Sequence, residues 1–134
     1  MFEVDLFGTK IQFRSEYCSK NGKVPEKIDK PYTNIYVQMT KNCNAKCQFC
    51  PWRQPHQVFD FKKYQKILAT INKKVDINKV SFTGGEPTLY WKEFLEALIF
   101  TKECNYDIFT VINTNGYQFT KLKKYSQYLN SIAL

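Results

Sequence analysis

Arginine is nearly absent from this chain. Of 20 basic residues, 18 are lysine and two, Arg14 and Arg53, are arginine. The formal net charge of +8 would otherwise invite a nucleic-acid partner. The lysines are spread along the chain, however, and no arginine cluster offers the planar fork that grips phosphate. Nucleic acid is therefore not the expected partner. Long apolar runs are missing too. None approaches the roughly 20 residues that a membrane-spanning helix needs, so no membrane partner is expected. The opening residues, MFEVDLFGTK, place acidic side chains among the apolar ones, unlike a secretion signal. A cytoplasmic location is the resulting expectation. A disulfide framework is also excluded. The five cysteines are odd in number, and three of them fall within eight residues. Close cysteine spacing without a secretion signal favours metal or catalysis. What remains is ordinary globular composition, 43% hydrophobic and 24% charged, which argues against wholesale disorder.

The pattern of apolar residues divides the chain in two. Residues 1–31 read as an N-terminal β-hairpin and linker. Phe2, Val4 and Leu6 alternate with polar residues, Gly8 supplies a turn, and Ile11 and Phe13 alternate again. From residue 32 to 134, strands alternate with helices. Strands are expected at Ile35–Met39, Val80–Thr83 and Ile108–Ile112, with a fourth beginning at Ile132. The first helix should span residues 60–74, capped by Asp60, with Phe61, Tyr64, Ile67, Leu68 and Ile71 on one face. The second should span 91–103 and turn Trp91, Phe94, Leu95, Leu98 and Ile99 inward. Thr120 is expected to cap a third, carrying Leu122, Tyr125 and Leu129. Repeated βα units imply an α/β fold with a parallel sheet, either winding open or curling into a barrel. Ligands gather at the C-terminal strand ends in both architectures, and each candidate motif falls at such an end.

The first motif is Cys43-Asn-Ala-Lys-Cys47-Gln-Phe-Cys50, directly after the first of these strands. A short loop can fold three thiolates around one cuboidal iron–sulfur cluster. Three ligands for four irons leave one iron open to a cofactor or substrate. Zinc competes on spacing alone, because His56 could supply the fourth ligand of a structural Cys3His site. Cys18 and Cys104 lie apart and read as ordinary thiols. The second motif is Gly84-Gly85-Glu86-Pro87, at the end of the next strand. Its two glycines allow a sharp turn and close backbone approach to a ligand, and Glu86 could fix the turn. The third strand ends Asn113-Thr114-Asn115-Gly116, a sequence suited to a turn.

The cysteine loop and the Gly-Gly-Glu-Pro turn, one βα unit apart, resemble the signatures of the radical S-adenosylmethionine (radical SAM) superfamily. That resemblance implies a partial (β/α) TIM-like barrel, of which this chain would hold the first half: three βα units and the start of a fourth strand. It implies a [4Fe–4S] cluster on Cys43, Cys47 and Cys50, and S-adenosyl-L-methionine chelated at the open iron. The reduced cluster would cleave this cofactor to a 5′-deoxyadenosyl radical, which abstracts hydrogen from a substrate. The resemblance puts Phe49 against the adenine region. Gly84, Gly85, Glu86 and Pro87 would lie against the methionyl end, with Asn113 and Asn115 lining the pocket. No residue is singled out as catalytic in its own right.

The family core has six βα units, so the sequence reads as a truncated or split radical SAM core. The missing barrel half is expected in the same or another chain. An electron donor such as flavodoxin or ferredoxin is the expected partner. The wording of the cysteine loop leans toward a peptide substrate. The competing readings are a truncated iron–sulfur binding module without turnover and the Cys3His zinc-stabilised interaction domain.

Overall fold

The alternating and branched segments do form strands, and the helical repeats pack against them. The computed structural model describes residues 2–6, 9–13, 33–50 and 59–134. Strands β1 (Phe2–Leu6) and β2 (Thr9–Phe13) pair antiparallel from Phe2 opposite Phe13 to Leu6 opposite Thr9, the expected hairpin. The main sheet has four parallel strands in the order β3 (Thr33–Thr40), β4 (Ile77–Gly84), β5 (Phe109–Asn113) and β6 (Ser131–Ala133). Sequential strands are neighbours, as successive βα units require. The sheet is open, and the architecture is α/β.

Helix α1 (Phe61–Asn72) begins where the sequence places it. The Asp60 carboxylate accepts from the Lys63 backbone N–H at 3.0 Å, satisfying one of the orphan donors of the first turn. Tyr64, Leu68 and Ile71 are its buried positions. Helix α2 (Trp91–Cys104) follows a single 3-10 turn, Pro87–Tyr90. Its inward face is Phe94, Ala97, Leu98 and Thr101. Ile99 is not in the core; Ala97 takes the close position and lets the helix approach the sheet. Between the helices, the buried Tyr64 and Thr101 hydroxyls hydrogen-bond at 2.6 Å. Helix α3 is only Phe119–Lys123, followed by a 3-10 turn at Ser126–Tyr128. Thr120 lies inside it rather than capping it, and Gln118 at the N-cap makes no side-chain capping bond. Within α3 only Leu122 is buried, too little apolar surface to extend the helix.

The two faces of the sheet differ. Ile35, Val37 and Met39 of β3 point to the helices and join Val80, Phe82 and Ile112 in one core. Phe82 stands between Tyr64 and Phe94, with ring centroids 6.4 and 5.5 Å away. The alternate residues of β3, Asn34, Tyr36 and Gln38, point to the opposite face, where Tyr36 is 54% exposed.

Lys102, on the last turn of α2, is buried, which the lysine count alone could not show. Its ammonium donates to the carbonyls of Tyr106 (3.2 Å) and Ile108 (2.6 Å) and to Asn130 Oδ1 (2.8 Å). Burial pushes its pKa below the ordinary lysine value, against a weaker raising pull from Asp107. These contacts tie together the N-terminal ends of β5 and β6, the opposite end from the motifs. The role is structural.

Candidate functional site

All three motifs meet at the C-terminal ends of the parallel strands, because each follows its strand directly. The cysteine loop leaves β3 at Thr40 and is held at its root by two backbone bonds. Gly85 N–H donates to the Thr40 carbonyl at 2.7 Å, and Glu86 N–H to the Asn42 carbonyl at 2.8 Å. Asn42 adds a side-chain bond from Nδ2 to the Tyr90 hydroxyl at 2.6 Å. The Gly-Gly-Glu-Pro turn therefore carries the cysteine loop on its back. The glycines are required by that contact. Gly84 has φ +129°, and a Cβ there would stand 2.2 Å from the Thr40 carbonyl oxygen. A Cβ at Gly85 would stand 2.0 Å from the Asn42 carbonyl oxygen. The close approach that the sequence assigns to a ligand is, on this side of the turn, an approach to the chain's own loop.

Glu86 is completely buried and ties the second motif to the third. Its Oε1 accepts from Thr88 N–H (3.0 Å), the Thr88 hydroxyl (2.6 Å) and the Thr114 hydroxyl (2.8 Å). Its Oε2 accepts from Asn115 N–H at 2.7 Å. Pro87 is buried beside it and opens the 3-10 turn. Four donors converge on one carboxylate, and an amide cannot replace it without turning an N–H toward another donor. Glu86→Gln should therefore lower unfolding stability by about 1–3 kcal/mol, read as a lower urea midpoint with unchanged slope. An unshifted midpoint would show that the network contributes nothing.

The thiols lie on the outer side of this assembly. Cys43 and Cys47 are exposed, Cys50 is half-buried, and none of the three is in a disulfide. The Cys50 N–H donates to the Cys47 carbonyl at 3.2 Å, turning the loop between them. The Cys43 sulfur receives Ala45 N–H at 3.4 Å and Asn115 Nδ2 at 3.8 Å. Among the described residues, no three His, Cys, Asp or Glu side chains are gathered in a metal-binding arrangement. His56 and Cys18 lie outside the described residues. The donor set nevertheless fits an iron–sulfur cluster: three soft thiols on one short exposed loop, with N–H groups directed at one sulfur. Cys104 is set apart on α2, and burial pushes its thiol pKa up, with Glu103 adding to the rise.

The remaining candidates surround this loop. Phe49, between Cys47 and Cys50, is 90% exposed and has a whole ring face to offer. Asn113 ends β5 opposite Ala133 and is half-buried. One polar group escaped sequence reasoning. Gln38 Nε2 is buried with no hydrogen-bond partner among the described residues, on the open face of β3 near its C-terminal end. A buried donor without a partner is costly, and a bound polar ligand would satisfy it. Only its alternation with the buried positions of β3 could have marked it in the sequence.

The Radical SAM superfamily matches over residues 37–134. The GTP 3′,8-cyclase of Helicobacter pylori (strain J99 / ATCC 700824) is 32% identical over 95 residues, covering 67% of this chain and 29% of that protein. The GTP 3′,8-cyclase of Nautilia profundicola is 28% identical over 118 residues, covering 81% of this chain and 35% of that protein. The solved structure of polyhistidine-tagged anSMEcpe with bound AdoMet shares the fold. Its TM-score is 0.59 at 19% identity, over 72% of this chain and 30% of that one. Native anSMEcpe with bound AdoMet and Cp18Cys peptide matches at a TM-score of 0.54 and 22% identity, over 64% of this chain and 25% of that one. The chain thus spans about a third or less of the length of these relatives.

Proposed function

The chain belongs to the radical SAM superfamily, and on that premise we propose that Cys43, Cys47 and Cys50 hold a [4Fe–4S] cluster at which S-adenosylmethionine is reductively cleaved. Held by these three cysteines, the cluster with its cofactor would supply radical hydrogen-abstraction chemistry. The observation that carries this reading is the joining of the two signature motifs. The cysteine loop and the Gly-Gly-Glu-Pro turn are bonded backbone to backbone at 2.7 and 2.8 Å, at the ligand-binding end of a parallel sheet.

The chain's own residues then divide the work. Cys43, Cys47 and Cys50 would hold three irons of the cluster and leave one open to the cofactor. The Gly84–Pro87 turn fixes the loop and presents its free side to the methionyl end. Phe49 offers its exposed ring to the adenine, and Gln38 and Asn113 offer amide groups on the open face. Glu86 orients the turn rather than touching the cofactor, since its four bonds are all internal. A positive surface suits an acidic electron donor of the flavodoxin or ferredoxin kind. The GTP cyclases and the peptide-bound anSMEcpe resemble this chain over a third or less of their lengths.

The test is anaerobic reconstitution of the full chain with iron and sulfide. About four irons per chain are expected, with an EPR signal of the reduced cluster that S-adenosylmethionine perturbs. Stoichiometric zinc with no iron uptake would overturn the reading. An intact cluster blind to saturating cofactor would reduce it to an iron–sulfur module without turnover.

A further inference from the structure

The Asn115 side chain is held in one orientation by the bonds around it. Its Oδ1 accepts from Tyr117 N–H at 3.0 Å, so its Nδ2 must face the other way. There it has two hydrogens and two acceptors: Asn44 Oδ1 at 2.8 Å and the Cys43 sulfur at 3.8 Å. Its backbone is anchored as well, by N–H donation to the buried Glu86 carboxylate at 2.7 Å. An amide fixed at both ends thus spans 72 residues of sequence to reach a cysteine of the first motif. The contact is out of place for a residue whose expected task is to line the cofactor pocket.

Resting on the cluster reading above, we propose that Asn115 is a positioning residue for Cys43: its amide N–H donates to the Cys43 sulfur and sets the reduction potential of the cluster bound there. A cluster gains negative charge on reduction, and an N–H directed at a ligand sulfur stabilises that charge. Groups outside the ligand set tune a metal centre in this way without holding the metal. Ala45 N–H, at 3.4 Å, is the second donor to the same sulfur, and it comes from the loop itself. Asn115 is the donor that comes from another strand end, so it links the cluster's potential to the position of the third motif. That position is fixed in turn by Glu86.

The test is an anaerobic redox titration of the reconstituted full chain, followed by EPR, on the wild type and two variants. Asn115→Ser keeps a short oxygen that can accept from Tyr117 N–H but cannot reach Cys43. Asn115→Asp keeps the size and the turn acceptor but has no N–H to give. Both should bind iron as the wild type does, and both should titrate at a more negative midpoint. The aspartate should shift further, because it adds negative charge. A merely structural role would leave the midpoint unmoved. Equal midpoints in all three proteins overturn the proposal. So does loss of iron in both variants, which would make Asn115 a support of the loop and not a tuner of the cluster. Failure of the wild type itself to bind iron would be a different result, and would remove the cluster reading along with this one.

Discussion

Replacing any one of Cys43, Cys47 or Cys50 with alanine should strip the reconstituted protein of nearly all its iron, from about four per chain to well under one. A cuboidal cluster with three protein ligands has no spare thiolate. Removing one leaves two irons without a protein ligand and exposes the core to solvent and oxygen. The loop around each thiol is open enough for the loss to be local: Cys43 and Cys47 are exposed and Cys50 only half-buried. The variants should therefore keep the wild-type far-ultraviolet circular dichroism while losing the brown chromophore. Cys104→Ala should keep both, because that thiol stands on α2 and its raised pKa makes it a poor thiolate. The zinc reading makes the opposite forecast at His56. Stoichiometric zinc with no iron uptake, the zinc lost on His56→Ala as on each of the three cysteine substitutions, would replace the cluster by a structural metal site.

The cysteine loop stands out in the sequence because its spacing is local. Three thiols within eight residues mark a candidate metal loop before any fold is known, and spacing alone leaves zinc in competition with iron. Elements whose stability comes from their own residues were readable for the same reason. Asp60 caps α1 through a backbone donor three residues away, and the apolar face of that helix lies in one short window. The third helix failed this test. A capping threonine and three well-spaced apolar residues suggest a helix through Leu129, yet three lysines crowd the segment, and only Leu122 is fully buried, with Leu129 packed against the core beyond the helix end. The network around Glu86 could be anticipated only in part. Sequence shows that a glutamate after two glycines can fix a turn. It does not show that the partners are Thr114 and Asn115, 28 and 29 residues on, because β5 must first pair with β4 to bring them there. Asn115 against Cys43 is harder still, since both lie at strand ends that meet only in the folded sheet. Gly84 and Gly85 show the limit most clearly. Glycine signals close approach, but a sequence cannot say whether the approaching group is a ligand or another stretch of the same backbone.

Gly85→Ala tests that distinction, and a large effect is expected from a single methyl. The added carbon would lie 2.0 Å from the Asn42 carbonyl oxygen and 2.5 Å from its carbon. These are backbone atoms, so no side-chain rotation relieves the clash. Either the turn or the root of the cysteine loop must move. Any such movement breaks the bond from Glu86 N–H to the Asn42 carbonyl, and threatens the bond from Gly85 N–H to Thr40. Overpacking together with two strained backbone bonds should cost about 2–4 kcal/mol. The loss should appear in two measurements that a pocket-lining glycine would not move together. Urea unfolding should shift to a lower midpoint even in protein without iron, since the clash involves the chain alone. Reconstitution should then yield a loop that has lost most of its iron, although no ligand has been changed. If instead the glycine mattered only for approach to S-adenosylmethionine, the alanine variant would fold and bind iron normally and would fail only in its EPR response to the cofactor. Wild-type stability and iron content with that single defect would show that the turn faces its ligand more closely than it faces Asn42.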